Sequence, residues 1–220
     1  MKKYYPVFLE IEGRKCVVVG GGEVAARKAR SLTDAGARVK VVSPGFCRRL
    51  SRMAGNANVA LVRKRFEARD LDGAFLAFAC TDDSRVNERV YAAARRRRIL
   101  TNVVDSAGLC DFIAPSVVSR GALTIAISTS GASPALARNI REDLEKTYGP
   151  RYSDFLDLME KNREKIVRNV PGARDRKRIF EALTSPRFLA RLLKRSRAEG
   201  EKFFSEKLKE LLSSAKSRHV

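Results

Sequence analysis

Histidine is almost missing from this sequence of 220 residues: the only one is His219. A catalytic dyad built on histidine, or a histidine-rich metal site, is therefore excluded within the chain. Any metal chemistry has to use carboxylates or nitrogens brought by a substrate. The four cysteines, Cys16, Cys47, Cys80 and Cys110, form no CxxC pair. Two of them, Cys16 and Cys80, fall in apolar runs where a thiol behaves as a small hydrophobe, so reduced and mostly buried cysteines are expected. Long hydrophobic stretches are also lacking. No uncharged run approaches the roughly 18 residues of a membrane-spanning helix, and Glu10 and Glu12 stand where a signal peptide would be apolar. A soluble, cytoplasmic protein with no membrane partner is expected.

Acidic residues are scarce relative to basic ones: 25 Asp and Glu face 45 Lys and Arg, a formal net charge of +20. Such an excess invites a nucleic-acid reading, but its distribution argues against one. Residues 151–220 carry 19 basic and 10 acidic residues, and residues 1–150 carry 26 and 15. A dedicated nucleic-acid tail would be lopsided, whereas a diffuse positive field also steers any small polyanion towards the protein. The densest patch, Arg95-Arg96-Arg97-Arg98, reads as the exposed last turn of a helix, where cations complement the dipole, or as a binding patch for phosphate or carboxylate.

What the chain does contain is an alternation of strand and helix patterns. Lys15-Cys-Val-Val-Val19 is a β-branched run ending in glycine, as expected of a central parallel strand buried on both faces. The apolar period then becomes helical from Val24 to Ala35, Gly36 supplies a left-handed cap, and Val39–Val42 follows as a second strand. This is a βαβ unit. The alternation continues with a short helix near 46–53, strands at 59–62 and 75–79, a helix from Ser84 to about Arg97 and a strand at 100–104. The pattern predicts an α/β fold with an N-terminal Rossmann domain, a doubly wound parallel sheet in strand order 3-2-1-4-5. After Asp105 two strands, 112–118 and 123–128, and a helix opening at Ser133-Pro134 form a small α+β segment; amphipathic helices fill the remainder, with breaks at Pro171-Gly172 and Ser185-Pro186. The domains expected are 1–113, 114–149 and 150–220.

Ligands of doubly wound sheets lie beyond the carboxyl ends of the strands. That rule gathers Gly20, Gly21, Gly22, Ser43, Pro44, Thr81, Asp82, Asp83 and Asp105 around one crevice. Gly20-Gly21-Gly22-Glu23-Val24-Ala25 fits G-x-G-x-x-A, in which glycines allow a pyrophosphate to approach the N–H groups of a helix N-terminus. The acid that usually holds the ribose diol is replaced by Ser43-Pro44. A serine hydroxyl can meet a ribose hydroxyl, and no arginine immediately follows to welcome a 2′-phosphate, so NAD is favoured over NADP. Asp105 is positioned either as a general base beside the nicotinamide or as a turn carboxylate. One aspartate of the pair 82–83 is expected to cap the helix after it.

Tyr5-Pro-Val-Phe-Leu9, Val19-Gly-Gly-Gly-Glu-Val-Ala-Ala-Arg-Lys28, Ala79-Cys-Thr-Asp-Asp83, Asn102-Val-Val-Asp105 with Phe112, and Ser128-Thr-Ser-Gly-Ala-Ser-Pro134 followed by Ala135-Leu-Ala-Arg138 closely resemble the precorrin-2 dehydrogenase/sirohydrochlorin ferrochelatase family. The resemblance covers residues 4 to about 148; the helical remainder matches in character only. In siroheme synthase this family is fused to a methyltransferase, for which these 220 residues have no room. The resemblance implies oxidation of precorrin-2 to sirohydrochlorin with NAD as cofactor and, in many members, insertion of Fe2+ to give siroheme, Fe2+ or Co2+ being the alternatives for the metal substrate. It implies a homodimer formed through residues 114–148, a catalytic role for Asp105, and NAD contacts at Glu23-Val24 and Pro44-Gly45; some members lack the chelatase activity, and the sequence leaves open both that activity and the choice of metal. Thr129 stands where some relatives carry a serine proposed to be modified, so no regulatory role transfers. The competing reading is a non-catalytic NAD-sensing or nucleic-acid-binding module.

Overall fold

The computed structural model describes residues 3–216; His219 lies outside them. The chain divides into two units, Met1–Ala114 and Pro115–Val220. In the first, strands β1 (Lys15–Val19), β2 (Arg38–Ser43), β3 (Val59–Arg63), β4 (Leu76–Ala79) and β5 (Leu100–Val103) alternate with helices α1 (Glu23–Asp34), α2 (Arg48–Ser51) and α3 (Ser84–Arg96). All pairings are parallel, in the order β3-β2-β1-β4-β5. This is the predicted doubly wound sheet.

Its two faces follow from the two-residue period of the strands. Cys16 and Val18 of β1 and Phe78 of β4 pack under Ala25, Ala29 and Leu32 of α1. Val17 and Val19 with Ala77 and Ala79 pack under Val90 and Ala94 of α3. Since both faces are covered, the central strands read as continuous apolar runs, which is why they were legible. Gly36, at φ +80°, ends α1 as expected. Two boundaries differ from the pattern. The helix expected over 46–53 is a single turn, with Phe46 and Met53 packing on the core from the flanking loop. The strand expected from Phe112 begins at Ser116. Phe112 belongs to the first unit, edge-on to Phe78 with centroids 5.3 Å apart, and Pro115, which has no N–H to give a ladder, intervenes.

The second unit holds an antiparallel hairpin, β6 (Ser116–Arg120) and β7 (Leu123–Ile127), and helices α4 (Pro134–Thr147), α5 (Arg151–Asn169), α6 (Ala173–Thr184), α7 (Pro186–Leu193) and α8 (Arg197–Lys216). Ser133 caps α4 with Pro134 in its first turn, and Ser185 caps α7 in the same way, so the Ser-Pro pairs mark helix starts. The helical core gathers Phe155, Ile166, Ile179, Leu183, Phe188, Leu192, Phe204 and Leu208. Among the described residues no helix is long and apolar enough to cross a membrane.

Candidate functional site

The site is built where β1 turns into α1. Gly20 has φ +131°, and a Cβ there would lie 2.4 Å from the Cys80 carbonyl oxygen. At Gly21 a Cβ would lie 1.8 Å from the Gly45 carbonyl oxygen and 2.6 Å from Ser43 Oγ. Neither position can carry a side chain. The Cys47 amide donates to the Gly21 carbonyl at 2.7 Å, which ties the loop after β2 to the turn. Gly22 is different: a Cβ on it would meet nothing within 4 Å, so open space lies directly above the N-terminus of α1. Gly22 is also the N-cap, and it makes no side-chain capping bond. The first-turn N–H groups of Glu23, Val24 and Ala25 therefore have no intrahelical acceptor and point, with the helix dipole, into that space. A cradle with free amides and no room for side chains beneath it fits the pyrophosphate of a dinucleotide.

Around this turn the structure assembles the other expected residues. Ser43 is buried, its hydroxyl beneath Gly21, and Pro44 and Gly45 form the exposed rim. The exposed Glu23 carboxylate pairs with Arg49 at 3.2 Å. Val24 packs its side chain on the core, leaving only its backbone for a ligand. At the end of β4, Thr81 is gripped by the buried Asn87. The Asn87 amide nitrogen donates to the Thr81 carbonyl at 2.8 Å, and its oxygen accepts from the Thr81 hydroxyl at 2.8 Å and from its N–H at 3.3 Å. Asp83 caps α3, accepting from the Arg85 and Val86 amides at 2.9 and 3.3 Å; Asp82 stays exposed. The sequence gives no signal for Asn87 beyond a polar residue on the buried face of α3.

Asp105 follows β5, one strand further along the same carboxyl edge. It is exposed, has φ +60°, and has no hydrogen-bond or ion-pair partner among the described residues. A non-glycine residue in the left-handed region costs of order 1 kcal/mol, though aspartate tolerates it better than most. Neighbours hold it there. Cys110 Sγ lies 3.2 Å from both the amide and the carbonyl of Val103 and 3.3 Å from the Ser106 carbonyl. The Asn102 amide donates to the Phe112 carbonyl at 3.0 Å. A carboxylate presented without a capping role is free to accept a proton from a bound molecule.

Two cations missed by sequence reasoning border the site. Arg63, in register with Ser43 across the β2–β3 pair, lies over the Phe46 ring at 5.4 Å and within 3.4 Å of the Pro44 carbonyl. Its guanidinium is committed to those two groups. Lys28 lies half-buried over the Phe78 ring, 5.7 Å from its centroid. Burial, with the nearby Arg27 charge, holds its ammonium below the ordinary lysine value. Cys80 is buried, and desolvation pushes its thiol up to about 12, as it pushes that of Cys16 to about 11. Cys47 and Cys110 are half-buried, and among the described residues no two cysteines form a disulfide.

The fold and this cradle define a dinucleotide-binding α/β protein. The chain belongs to the putative NAD(P)-binding family, whose model matches residues 7–116. A second model, that of the sirohaem biosynthesis protein central region, matches residues 120–147. The chain is 36% identical to a siroheme synthase of Nitrosococcus oceani over 199 residues, 90% of this chain and 42% of that protein. It is 41% identical to a siroheme synthase of Methylococcus capsulatus over 178 residues, 81% of this chain and 38% of that protein. It thus spans about two fifths of these relatives. Among solved structures it is similar to SirC, a precorrin-2 dehydrogenase, with a TM-score of 0.75 and 28% identity over 94% of this chain and 100% of that one. The family resemblance read from the motifs is matched by all three comparisons.

Proposed function

We propose that this chain oxidises precorrin-2 to sirohydrochlorin, a step of siroheme biosynthesis, in the cytoplasm and with NAD+ as acceptor. The observation that carries the reading is the pairing of a side-chain-free glycine cradle at α1 with an unpartnered carboxylate at Asp105 on the same edge of the sheet. The likeness to SirC, complete over that chain, supplies the substrate. Bound in the cradle, NAD+ supplies the hydride acceptor. The amides of Glu23, Val24 and Ala25 would hold the pyrophosphate, and the rim at Pro44 and Gly45 and the buried Ser43 would bound the ribose. Thr81, gripped by Asn87, and Asp82 border the crevice beyond β4. Loss of a hydride from the tetrapyrrole must be matched by loss of a proton, which an Asp105 carboxylate oxygen accepts.

Sirohydrochlorin then takes Fe2+ or Co2+ as a second substrate at the same site. The macrocycle contributes the nitrogen ligands, and the two displaced N–H protons leave one at a time through Asp105, whose exposed carboxylate passes the first to water before accepting the second. Homodimerisation, over residues 114–149, has a physical motive. A two-stranded hairpin is marginal by itself, and here Val117 on β6 and Leu136 and Ile140 on α4 are left exposed, so a second copy covers them.

The test is anaerobic turnover of precorrin-2 with NAD+, read by NADH absorbance, followed by addition of Fe2+ or Co2+. Asp105→Ala is expected to lower kcat by roughly 10²–10⁴-fold while leaving NAD+ affinity within a factor of about two, because the cradle is untouched. Normal turnover by that variant removes Asp105 from the mechanism, and metal insertion no faster than without protein leaves a dehydrogenase alone.

A further inference from the structure

The stripe of α1 that faces the sheet runs through Ala25, Ala29 and Leu32, all buried, and Lys28 falls inside it, three residues after one member and four before another. A lysine in an apolar stripe gives up hydration. Over Phe78 it regains a cation–π contact of about 1 kcal/mol, and among the described residues no carboxylate lies within ion-pair distance of it. Methionine would fill the same volume without stranding a charge. Position 28 thus carries a cost to folding that the cation–π contact only partly offsets.

Where the ammonium lies suggests what offsets the cost. Helical side chains lean towards the N-terminus, so Lys28 reaches back along α1 to the carboxyl edge of the sheet. The Phe78 ring beneath it belongs to the same packed cluster as Cys80, with Phe112 edge-on to that ring. Cys80 is the residue against which Gly20 packs, and its amide donates to the Val19 carbonyl at 2.7 Å. Cys110 braces the turn that presents Asp105. The ammonium therefore lies over Phe78 of β4, two residues before Cys80 and near the carboxyl end of that strand. The Lys28 backbone is a helical turn beyond the amides that serve the pyrophosphate, and its ammonium lies on the β4 side of α1. On β4 the Phe78 ring is its floor.

We propose that Lys28 determines substrate specificity: its half-buried ammonium, held over Phe78 beside Cys80, pairs with a peripheral carboxylate of the tetrapyrrole and orients the macrocycle against Asp105. This rests on the reading of the substrate as precorrin-2, a polycarboxylate. An ion pair formed at a partly desolvated cation is stronger than one in water, so one half-buried lysine outweighs an exposed cation of this basic chain.

The experiment compares wild type, Lys28→Met and Lys28→Arg by steady-state kinetics with precorrin-2, by equilibrium dialysis of sirohydrochlorin, by NAD+ binding and by thermal unfolding. Lys28→Met is expected to raise the KM for precorrin-2 and the Kd for sirohydrochlorin by roughly tenfold or more, the loss of one charge-assisted hydrogen bond. NAD+ affinity is expected to hold and Tm to stay or rise, since a stranded charge is gone. Lys28→Arg, which keeps the charge, is expected to recover part of the loss. Unchanged KM and Kd in Lys28→Met with a lowered Tm would make Lys28 structural and overturn the proposal, as would a loss confined to NAD+. If the wild type binds sirohydrochlorin without oxidising precorrin-2, the dehydrogenase reading fails and the Kd comparison still decides Lys28; if it binds neither tetrapyrrole, both fall.

Discussion

At the scale of single residues the three consecutive glycines do different work. Gly20 and Gly21 are required by backbone packed where a side chain would begin, and Gly22 leaves the helix end open. Gly21→Ala is the sharper test, because its Cβ would sit 1.8 Å from the Gly45 carbonyl oxygen, backbone that cannot swing aside. The substitution is expected to displace the loop after β2 and weaken NAD+ binding by at least ~100-fold, with a fall of about 2 kcal/mol or more in stability. Calorimetric titration with NAD+ and chemical denaturation measure the two, and NAD+ binding of wild-type strength would show that the loop gives way freely. Gly22→Ala, with nothing within 4 Å of its Cβ, is the control. The motif announced this site; that Gly45 is the partner of Gly21 was invisible, because the contact joins loops after two different strands.

At the scale of elements, the short 3₁₀ turn Ala68–Leu71 before β4 is pinned by a buried charge. Asp70, only 2% exposed, accepts from Lys40 of β2 at 2.8 Å, from Lys64 after β3 at 3.0 Å and from the Glu67 amide at 2.9 Å. Burial by itself raises the Asp70 carboxyl, but the Lys40 ammonium, the Glu67 amide and Lys64 outweigh it and hold it below the ordinary aspartate value. A carboxyl lowered in the folded state contributes stability that is fully present above its unfolded value of about 3.9 and is lost as pH falls through the lower folded value. Asp70→Asn is therefore expected to lose about 1–3 kcal/mol at neutral pH and to unfold less steeply with acid below pH ~4 than wild type. Urea titrations at pH 7 and in the acid range measure both, and parallel losses at every pH would mean that Asp70 is not the titrating group. Nothing in the sequence marks this aspartate, since its partners lie on other elements.

At the scale of the whole molecule the net charge of +20 acts as a field. A polycarboxylate approaching a basic chain is steered until salt screens it, over a Debye length of about 8 Å at physiological ionic strength. The expected outcome is a kcat/KM for precorrin-2 that falls several-fold between roughly 0.02 and 0.5 M NaCl, with kcat nearly constant. A kcat/KM independent of salt would mean that the cations outside the site do not assist encounter. The run Arg95–Arg98 contributes less than its density suggests. Arg95 lies 3.6 Å from Asp111, and Arg97 donates to Asp72 at 2.9 Å and to the Ala93 carbonyl at 3.2 Å, so two of its four members are already engaged around the end of α3.

Local rules carried the sequence far. Val17–Val19, Gly36, the Ser-Pro helix starts and the G-x-G-x-x-A turn each express a preference decided within a few residues, so strand order, helix starts and the dinucleotide cradle could be read directly. The strand start at Ser116 rather than Phe112, the grip of Asn87 on Thr81, the commitment of Arg63 to Phe46 and the seat of Lys28 over Phe78 could not. They are contacts between elements distant along the chain. Which polar residue is stranded, braced or capped depends on what packs against it, and of the two roles the sequence left open for Asp105 the folded turn favours the base, because it leaves the carboxylate without a partner among the described residues.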